Sequence, residues 1–347
     1  MDVRRESVFI SAIRSFLRAF FAVCGIFIAL ILMSMVYSSF STASFIDEKT
    51  TLSILSDANG KREMVSPAAP AILQINIHGA IGMDLKDLNS ESFNNILVDS
   101  RSGLLSHDRV KAILLHINTP GGAAVDSDDI YLMLKEYKER YKVPVYAYVD
   151  GLCASGGMYI ACSADQIYAS PSSAIGSVGV VYGPFFNIYG TMGKLGIEAR
   201  TLTEGLDKDA LNPTRPWKEG EDQWIKDLLA FTYNRFVTIV TEARPRINKE
   251  QLLHVLGAKM FDCVEAQKLG YIDVAMATRD QALTALLEAA HIDPNHPYQV
   301  VELQPRRRWL SELVNGSSSL LSGKIEHTLD ISQGRKRSPF SYLYQPE

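Results

Sequence analysis

The chain has 347 residues, of which 47% are hydrophobic and 21% are charged, and its formal net charge is −4. These proportions exclude a chain that is disordered throughout, and the slightly acidic balance lacks the basic footprint of a nucleic-acid-binding protein. We therefore expect no nucleic-acid partner. The length fits one catalytic domain with smaller accessory segments, because single hydrophobic cores stop growing at roughly 250–300 residues.

The N-terminal part contains an uncharged, strongly apolar stretch, Ala19–Phe40. As a helix at 1.5 Å per residue it would extend about 33 Å, enough to cross a hydrocarbon core of about 30 Å. Residues 1–18 carry four arginines, whereas Lys49 is the only basic residue among the twenty that follow the stretch. The positive-inside rule therefore predicts a transmembrane anchor with residues 1–18 in the cytoplasm and the rest of the chain on the other side. Cleavage near Ser41–Ser44 is the alternative, although cleaved signal peptides usually have shorter apolar regions.

Residues 41–70 are polar and rich in Ser and Thr, which predicts a linker between the membrane and a folded domain. Residues 71–280 are the predicted catalytic domain. The final part, residues 281–347, reads as a helical segment followed by a solvated, flexible tail with two basic clusters, at 306–308 and 335–337.

Inside the predicted domain, strand patterns alternate with glycine turns and helix patterns. The apolar runs Ile72–Ile77, Ala112–Ile117 and Val145–Val149 are typical of buried strands. The second run leads through a glycine turn into a helix that begins near Asp126, and the third leads through another glycine turn into a helix near Met158. This repetition predicts a largely parallel α/β sheet. Later segments predict a long helix over about Glu221–Ala243. They also predict three short β-rich runs: Gln166–Ala169, Val178–Val181 and Ala199–Leu202.

The most informative segment for chemistry is Gly151–Ala161, which places Ser155 between the end of a strand and the start of a helix. At such a point backbone N–H groups are unpaired, so the N–H of Gly156 would face an oxyanion formed when Ser155 attacks a carbonyl. Gly121 and Gly122 follow the neighbouring strand and offer a second donor, since glycine lets the backbone approach a ligand closely. Both turns end parallel strands and should share one rim of the sheet. Either turn alone is also compatible with an ordinary strand-to-helix connection.

A serine nucleophile needs a base, and none of the seven histidines lies in a motif resembling that of a catalytic triad. His78 and His116 fall in or at the end of strands. A lysine is the alternative, provided that burial lowers its pKa by several units from about 10.4. Lys208, between Asp207 and Asp209, is a candidate, but composition alone does not distinguish it from a solvated surface residue.

Four ordered motifs make the chain similar to the signal peptide peptidase A/SohB family of serine peptidases. The resemblance extends roughly over residues 71–273, and Lys208 lies 53 positions after Ser155, as in the family. The motifs are Asn118-Thr119-Pro120-Gly121-Gly122, Ala154-Ser155-Gly156-Gly157-Met158-Tyr159-Ile160-Ala161, Gly176-Ser177-Val178-Gly179-Val180 and Asp207-Lys208-Asp209.

The resemblance implies a crotonase-like, Clp-protease-like spiral of ββα units and a Ser/Lys dyad. Carried onto this sequence, Ser155 is the nucleophile, Lys208 the general base and Ser177 the group that orients the lysine amine. The backbone N–H groups of Gly122 and Gly156 would form the oxyanion hole. Thr119, Met158 and Asn212 depart from the common family pattern and put substrate preference in doubt more than the mechanism.

The resemblance also implies apolar peptide substrates such as signal-peptide remnants, assembly into homo-oligomers, and a bacterial inner membrane location with the catalytic domain on the extracytoplasmic side. Two other functions stay open: a catalytically silent scaffold, and an acyl-CoA enzyme, which would give Ser155 and Lys208 no role. No cofactor is expected.

Metal chemistry is not expected either. The aspartates at 126, 128 and 129 fit the first turn of a helix, where carboxylates are stabilising. The four cysteines show neither a CxxC pair nor zinc-site spacing: Cys24, Cys153, Cys162 and Cys263. We interpret them as packing residues, and a Cys153–Cys162 disulfide stays open.

Overall fold

The computed structural model describes residues 8–40, 50–84, 88–305 and 341–343. It divides into two compact units, Met1–Glu48 and Lys49–Glu347. Several predicted features lie outside the described residues: the arginines at 4 and 5, the possible cleavage region with the linker residues 41–49, and the basic clusters at 306–308 and 335–337.

The first unit contains one helix, α1, which runs from Val8 to Phe40. Within it, Ile13–Met33 is long and apolar enough to cross a membrane, with a mean hydropathy of 2.5. This candidate span begins before the uncharged stretch and includes Arg14 and Arg18. Arginine is a good helix former, and its long side chain can place its charge in water while its stem lies along apolar surface, so the helix continues through both residues.

The second unit is an α/β structure, which confirms the predicted fold class. Its strands are β1 Thr50–Leu55, β2 Ala71–His78, β3 Val110–Thr119, β4 Gly121–Ala123, β5 Val145–Ala154, β6 Gln166–Ala169, β7 Ala174–Gly176, β8 Met260–Asp262, β9 Gln299–Pro305 and β10 Ser341–Leu343. Its helices are α2 Ser90–Asp99, α3 Ala124–Tyr141, α4 Gly156–Ala161, α5 Tyr189–Lys194, α6 Gln223–Ala243, α7 Lys249–Gln251, α8 Cys263–Leu269 and α9 Arg279–Ala289.

The main sheet has the strand order β1-β9-β2-β3-β5-β7-β8, and β6 also pairs with β5. The pairings β9/β2, β2/β3, β3/β5, β5/β6 and β5/β7 are parallel, whereas the edge strands β1 and β8 pair antiparallel. Parallel strands point their carboxyl ends to one rim, so β3 and β5 deliver their following glycine turns to neighbouring positions. The prediction of a largely parallel sheet is confirmed.

Alternate residues of the central strands face two different cores. On β3, Ile113, Leu115 and Ile117 belong to a cluster that contains Met158 and Tyr159 of α4. The opposite face of the same strand, with Ala112 and Leu114, belongs to a second cluster that includes residues of the helix α9. Because successive strand side chains point to opposite faces, helix α4 with its preceding serine lies on one side of the sheet and α9 on the other.

The ends of the folded unit differ from the prediction. Residues 50–55, within the predicted linker, form the edge strand β1, which pairs with β9. Residues 299–305, within the predicted tail, form β9 itself between β1 and β2. Neither strand has enough apolar residues in a row to be recognised alone, and the pairing of segments some 250 positions apart stabilises both.

Two of the short β-rich runs are not strands. Residues 178–181 follow Gly176 and Ser177, whose positive φ values of 135° and 56° turn the chain away from the sheet after β7. Residues 199–202 lie on an exposed segment without strand pairing. The run Gln166–Ala169 is strand β6, as predicted.

Candidate active site

Ser155 occupies a sharp, strained turn between β5 and α4. Its φ of 54° and ψ of −113° lie outside the regions favoured for residues with a side chain. Its N–H donates to the Gly176 carbonyl at 3.0 Å, and its carbonyl accepts from the Tyr159 N–H at 3.0 Å. The residue is only 1% exposed. The surrounding backbone therefore holds this serine in one orientation.

The two glycines after Ser155 have different roles. Gly157 lies against β3, and a Cβ on it would come within 2.5 Å of the Thr119 methyl group. Helix α4 can approach the end of β3 only because this side chain is missing. Gly156 is the first residue of α4, and its N–H has no acceptor among the described residues. This N–H is therefore free to donate to a ligand, as the sequence analysis predicted.

The glycine turn after β3 is fixed by Thr119, which is fully buried. Its hydroxyl donates to the Gly79 carbonyl and accepts from the Gly121 N–H at 3.0 Å. Beyond the turn, β4 passes so close to Ile81 that a Cβ on Gly122 would lie 2.0 Å from the Ile81 carbonyl oxygen. The substitution of threonine for the family's frequent serine at 119 thus keeps both hydrogen bonds and adds the methyl that touches Gly157.

Gly122 presents its polar backbone groups to the edge of β4 that faces away from Ile81. The Ala123 N–H donates to Ile81, and the Ile81 N–H donates to Gly121, at 2.7 and 3.0 Å. Since neighbouring residues of a strand direct their N–H and C=O groups to opposite edges, the Gly122 N–H faces the other way. This is the edge of β4 along which β10 pairs, and the role of Gly122 as an oxyanion donor stays a prediction.

Ser177 lies beside Ser155, because Gly176 accepts the Ser155 N–H and directly precedes Ser177. Its φ is 56°, its side chain is nearly buried, and its N–H donates to the Lys259 carbonyl at 2.9 Å. The structure thus brings Ser155, Gly156 and Ser177 together at one rim, with Gly122 on the adjoining turn.

Lys208 is not part of this group in the single chain. It lies on an exposed segment, residues 182–220, which we call the arm. Among the described residues, the Lys208 amine makes no hydrogen bond or ion pair, and it is not bonded to the hydroxyl of Ser155 or Ser177. The neighbouring Asp209 pairs instead with Arg215, whose guanidinium also binds Glu221.

The arm exposes several large apolar side chains, although its polar groups are well bonded. The most exposed are Phe186, Leu195, Leu202 and Leu206, at 72%, 69%, 80% and 94%. Large apolar side chains this exposed on one segment are typical of an interaction surface. Sequence reasoning missed it, because the separate apolar residues show no helical or strand period.

The histidines belong to the opposite face of the sheet. His116 alternates on β3 with the residues that face α4, and its ring centroid lies 4.6 Å from that of His78. Its Nε2 is 3.7 Å from the Asp150 carboxylate. Burial lowers the pKa of both histidines, so neutral imidazoles are favoured there. His78 and His116 thus lie on the face of the sheet opposite to α4 and Ser155.

An ion pair supports α4 from the side, which sequence reasoning did not find. The Tyr159 hydroxyl donates to the Asp128 carboxylate at 2.6 Å, and Arg235 donates to the same carboxylate at 2.7 Å. Asp128 lies on α3 and Arg235 on α6, so one carboxylate links three helices. The aspartates at the start of α3 are therefore structural, in line with their prediction as helix-turn residues.

The cysteines behave as packing residues. All four are free thiols, and Cys153, Cys162 and Cys263 are buried. Burial raises the pKa of the Cys162 thiol to about 12 and also raises the pKa of Cys153. Both thiols therefore favour the protonated form, and Cys153 and Cys162 are not joined in a disulfide.

The comparisons with known proteins point to proteases. Residues 137–293 match the family model described as Peptidase family S49. A protease-named protein of Methanocaldococcus jannaschii is 34% identical over 185 residues, which cover 53% of this chain and 58% of that protein. A protein of Enterococcus faecium named as a signal peptide peptidase SppA is 28% identical over 206 residues, covering 58% and 59%. The chain thus spans less than two thirds of these relatives, and the matches confirm the resemblance stated from the motifs.

Two solved structures align with part of this chain. A membrane-bound stomatin-specific protease in complex with a substrate peptide aligns over 73% of this chain and 99% of its own, with a TM-score of 0.41 and 19% identity. A ClpP1 variant from Listeria monocytogenes aligns over 60% of this chain and 94% of its own, with a TM-score of 0.39 and 17% identity. These likenesses concern the fold alone.

Proposed function

We propose that the chain is a membrane-anchored serine endopeptidase that uses Ser155 and Lys208, both of which lie within residues 137–293, the part that matches the model of peptidase family S49. The observation that carries the proposal is Ser155 itself. It is buried, it is held at φ 54°, and the N–H of the following Gly156 has no acceptor among the described residues. A strained serine at a strand-to-helix turn is the arrangement that a nucleophile requires.

The reaction begins when the neutral Lys208 amine removes the proton from the Ser155 hydroxyl as its oxygen attacks the scissile carbonyl. The negative charge that develops on the carbonyl oxygen is stabilised by the N–H groups of Gly122 and Gly156. Lys208 then donates the proton to the leaving amine, which gives an acyl-enzyme. A water molecule, deprotonated by the same lysine, attacks the ester and releases the acid product. Ser177 positions the lysine amine.

A lysine acts as a base only where it is shielded from water, because a solvated amine is almost fully protonated at neutral pH. In the single chain Lys208 is exposed on the arm. The exposed apolar side chains of the same arm support association with a second copy, whose Ser155 would receive the amine while its surface covers the arm and shields the amine from water. The proposed enzyme is therefore a homo-oligomer, and its active site is complete only in the assembly.

The helix α1 supports the anchor. Its candidate span Ile13–Met33 carries its two arginines in the first six positions, which favours the N-terminus on the cytoplasmic side of a bacterial inner membrane. The catalytic unit then lies on the extracytoplasmic side, where apolar peptides such as signal-peptide remnants are the proposed substrates. Accessibility of a single introduced surface cysteine to a membrane-impermeant reagent tests this orientation; labelling only after the cells are opened would reverse it.

The test of the mechanism compares hydrolysis of apolar fluorogenic peptides by the wild type and by the variants Ser155→Ala and Lys208→Ala. Each substitution should lower kcat on the order of 10³-fold or more, with KM little changed. Lys194→Ala is the matched control, because Lys194 is an exposed lysine on the same arm. A metal chelator should have no effect on the wild type. Full activity in either dyad variant would overturn the proposal.

A further inference from the structure

The loop that carries Lys208 has a strained backbone. We call residues 207–217 the lysine loop. Asp207 and Leu211, on either side of Lys208, have φ values of 55° and 57°, which residues with a side chain rarely adopt. Between them the Ala210 N–H donates to the Asp207 carbonyl at 3.0 Å. A backbone of this kind persists only where the surrounding structure fixes it.

Arg215 binds the residue directly after Lys208 in two ways. Its Nε donates to the Asp209 carboxylate at 2.8 Å, and its Nη2 donates to the Asp209 backbone carbonyl at 2.7 Å. Nη2 also donates to the Glu221 carboxylate at 2.6 Å, and Nη1 donates to the Pro216 carbonyl at 2.8 Å. A planar fork of donors fits this set of acceptors, whereas an ammonium group is a single point charge. The guanidinium therefore fixes both the side chain and the backbone beside Lys208.

Glu221 connects this guanidinium to the long helix α6, which begins two residues later. Its side chain is only 4% exposed, and its Oε1 is buried without a hydrogen-bond partner among the described residues. A buried carboxylate is costly unless a cation pairs with it, so Arg215 is strongly favoured in this one position. Farther along α6, the ring of Phe236 is fully buried and packs against Tyr159 of α4. The contacts thus connect the core to the lysine loop.

The Lys208 amine takes no part in this network. Among the described residues it makes no hydrogen bond or ion pair, whereas its neighbour Asp209 is bonded through both its side chain and its backbone. The network therefore fixes the backbone from which the amine extends and leaves the amine itself free to enter a site. A general base must come within about 3 Å of the group whose proton it removes. A displacement of about 1 Å can lower the rate on the order of 10²-fold.

We propose that Arg215, held by Glu221 and acting through Asp209, is a positioning residue for the general base Lys208. This inference rests on the proposed peptidase function and adds to it a group that touches neither the substrate nor Ser155. Because Arg215 holds the base and does not bind the peptide, its loss should lower kcat and leave KM little changed.

Hydrolysis of apolar fluorogenic peptides by the full chain in detergent tests this role. Arg215→Ala should lower kcat on the order of 10²-fold with KM little changed. Arg215→Lys keeps the charge but loses the fork of donors, so it should restore little of the kcat. Arg200→Ala is the matched control, because Arg200 is an exposed arginine on the same arm, and its kcat should equal that of the wild type.

Added guanidinium ion separates positioning from a general loss of structure. In Arg215→Ala the carboxylates of Asp209 and Glu221 stay in place, so a free guanidinium ion can donate to both of them. Guanidinium chloride at millimolar, non-denaturing concentrations should raise the kcat of Arg215→Ala and leave that of Arg200→Ala unchanged. Sodium chloride at the same concentration should raise neither. An unchanged kcat in Arg215→Ala, or an equal recovery with sodium chloride, overturns the inference.

Asp209→Ala keeps the test decisive if Arg215→Ala does not fold. It leaves the buried pair of Arg215 and Glu221 intact and removes only the carboxylate beside Lys208. Its kcat should fall by less than that of Arg215→Ala, because the backbone carbonyl at 209 still accepts from Arg215. An unchanged kcat in this variant also overturns the inference. An inactive wild type is failure of the peptidase function, whereas an active wild type with unaffected Arg215 and Asp209 variants is failure of this inference alone.

Discussion

The rim around Ser155 and the arm around Lys208 are built in opposite ways. At the rim the reacting serine is 1% exposed and its neighbours are fixed by backbone hydrogen bonds and close glycine contacts. On the arm the proposed base is exposed, although the salt bridges of Arg215 with Asp209 and Glu221 hold the local loop together. In the proposed mechanism, the fold of the chain itself fixes the orientation of the serine nucleophile, whereas the lysine base still needs a covering surface from a second copy.

The largest effect is expected when the intact Ser155 and the intact Lys208 are placed on different chains. Ser155→Ala and Lys208→Ala should each be inactive, with losses on the order of 10³-fold or more. Mixed and allowed to exchange subunits, they should regain a measurable fraction of wild-type peptide hydrolysis, because an intact serine can then meet an intact lysine. Each variant mixed with itself is the control. A mixture that stays inactive, although exchange is demonstrated by cross-linking, would place both residues in one chain.

The rigidity of the rim can be tested at Gly157. Gly157→Ala places a Cβ about 2.5 Å from the Thr119 methyl, and such overpacking costs about 1–3 kcal/mol of unfolding free energy. Urea unfolding followed by circular dichroism measures the loss. In a Thr119→Ser background the methyl is missing, so the same alanine should be tolerated better. An equal cost in both backgrounds would show that another contact limits the approach of α4.

A smaller change in unfolding free energy is expected when the pH is lowered, because of His78 and His116 on the face of the sheet opposite to Ser155. Burial lowers the folded-state pKa of His78 and His116 below their ordinary value of 6.5. Below that pH the unfolded chain binds more protons than the folded one, so the free energy of unfolding should fall as the pH drops below about 6.5. Each unit of pKa difference corresponds to about 1.4 kcal/mol. His116→Gln should reduce the difference between the unfolding free energies measured by urea titration at pH 7 and at pH 5.5. An unchanged difference would assign the pH dependence to other groups.

The smallest effect is expected on the arm, where the ion pairs of Arg215 should be lost at a lower pH. Hydrogen bonds from Arg215 lower the pKa of Asp209 and Glu221 below their ordinary values of 3.8 and 4.5. The stabilisation is therefore present above those values and is lost as the pH falls below about 4. Trp217 donates to the Asn212 carbonyl on the same segment, so its fluorescence reports the change. The signal should disappear in Trp217→Phe, and a transition near pH 6 would contradict the assignment.

Local patterns in the sequence were sufficient for much of the rim. The apolar runs before the glycine turns predicted β2, β3 and β5, and the pairing of a strand end with a helix start singled out Ser155. The prediction of Ser177 and Gly122 rested on the resemblance and on the glycine turns. Their placement beside Ser155 depends on Gly176 accepting the Ser155 N–H and on β4 passing Ile81, neither of which a local pattern contains.

The sequence by itself determined the long apolar helix, the α/β class and the serine at a strand-to-helix turn, because each depends on residues close together in the chain. Only the tertiary structure decided that residues 50–55 and 299–305 join the sheet, that the arm leaves Lys208 in water, and that residues 341–343 lie against Gly122. Those outcomes depend on hydrogen bonds and contacts between segments that are distant in the chain. The stabilisation that such long-range contacts provide cannot be predicted from the residues of any one segment alone.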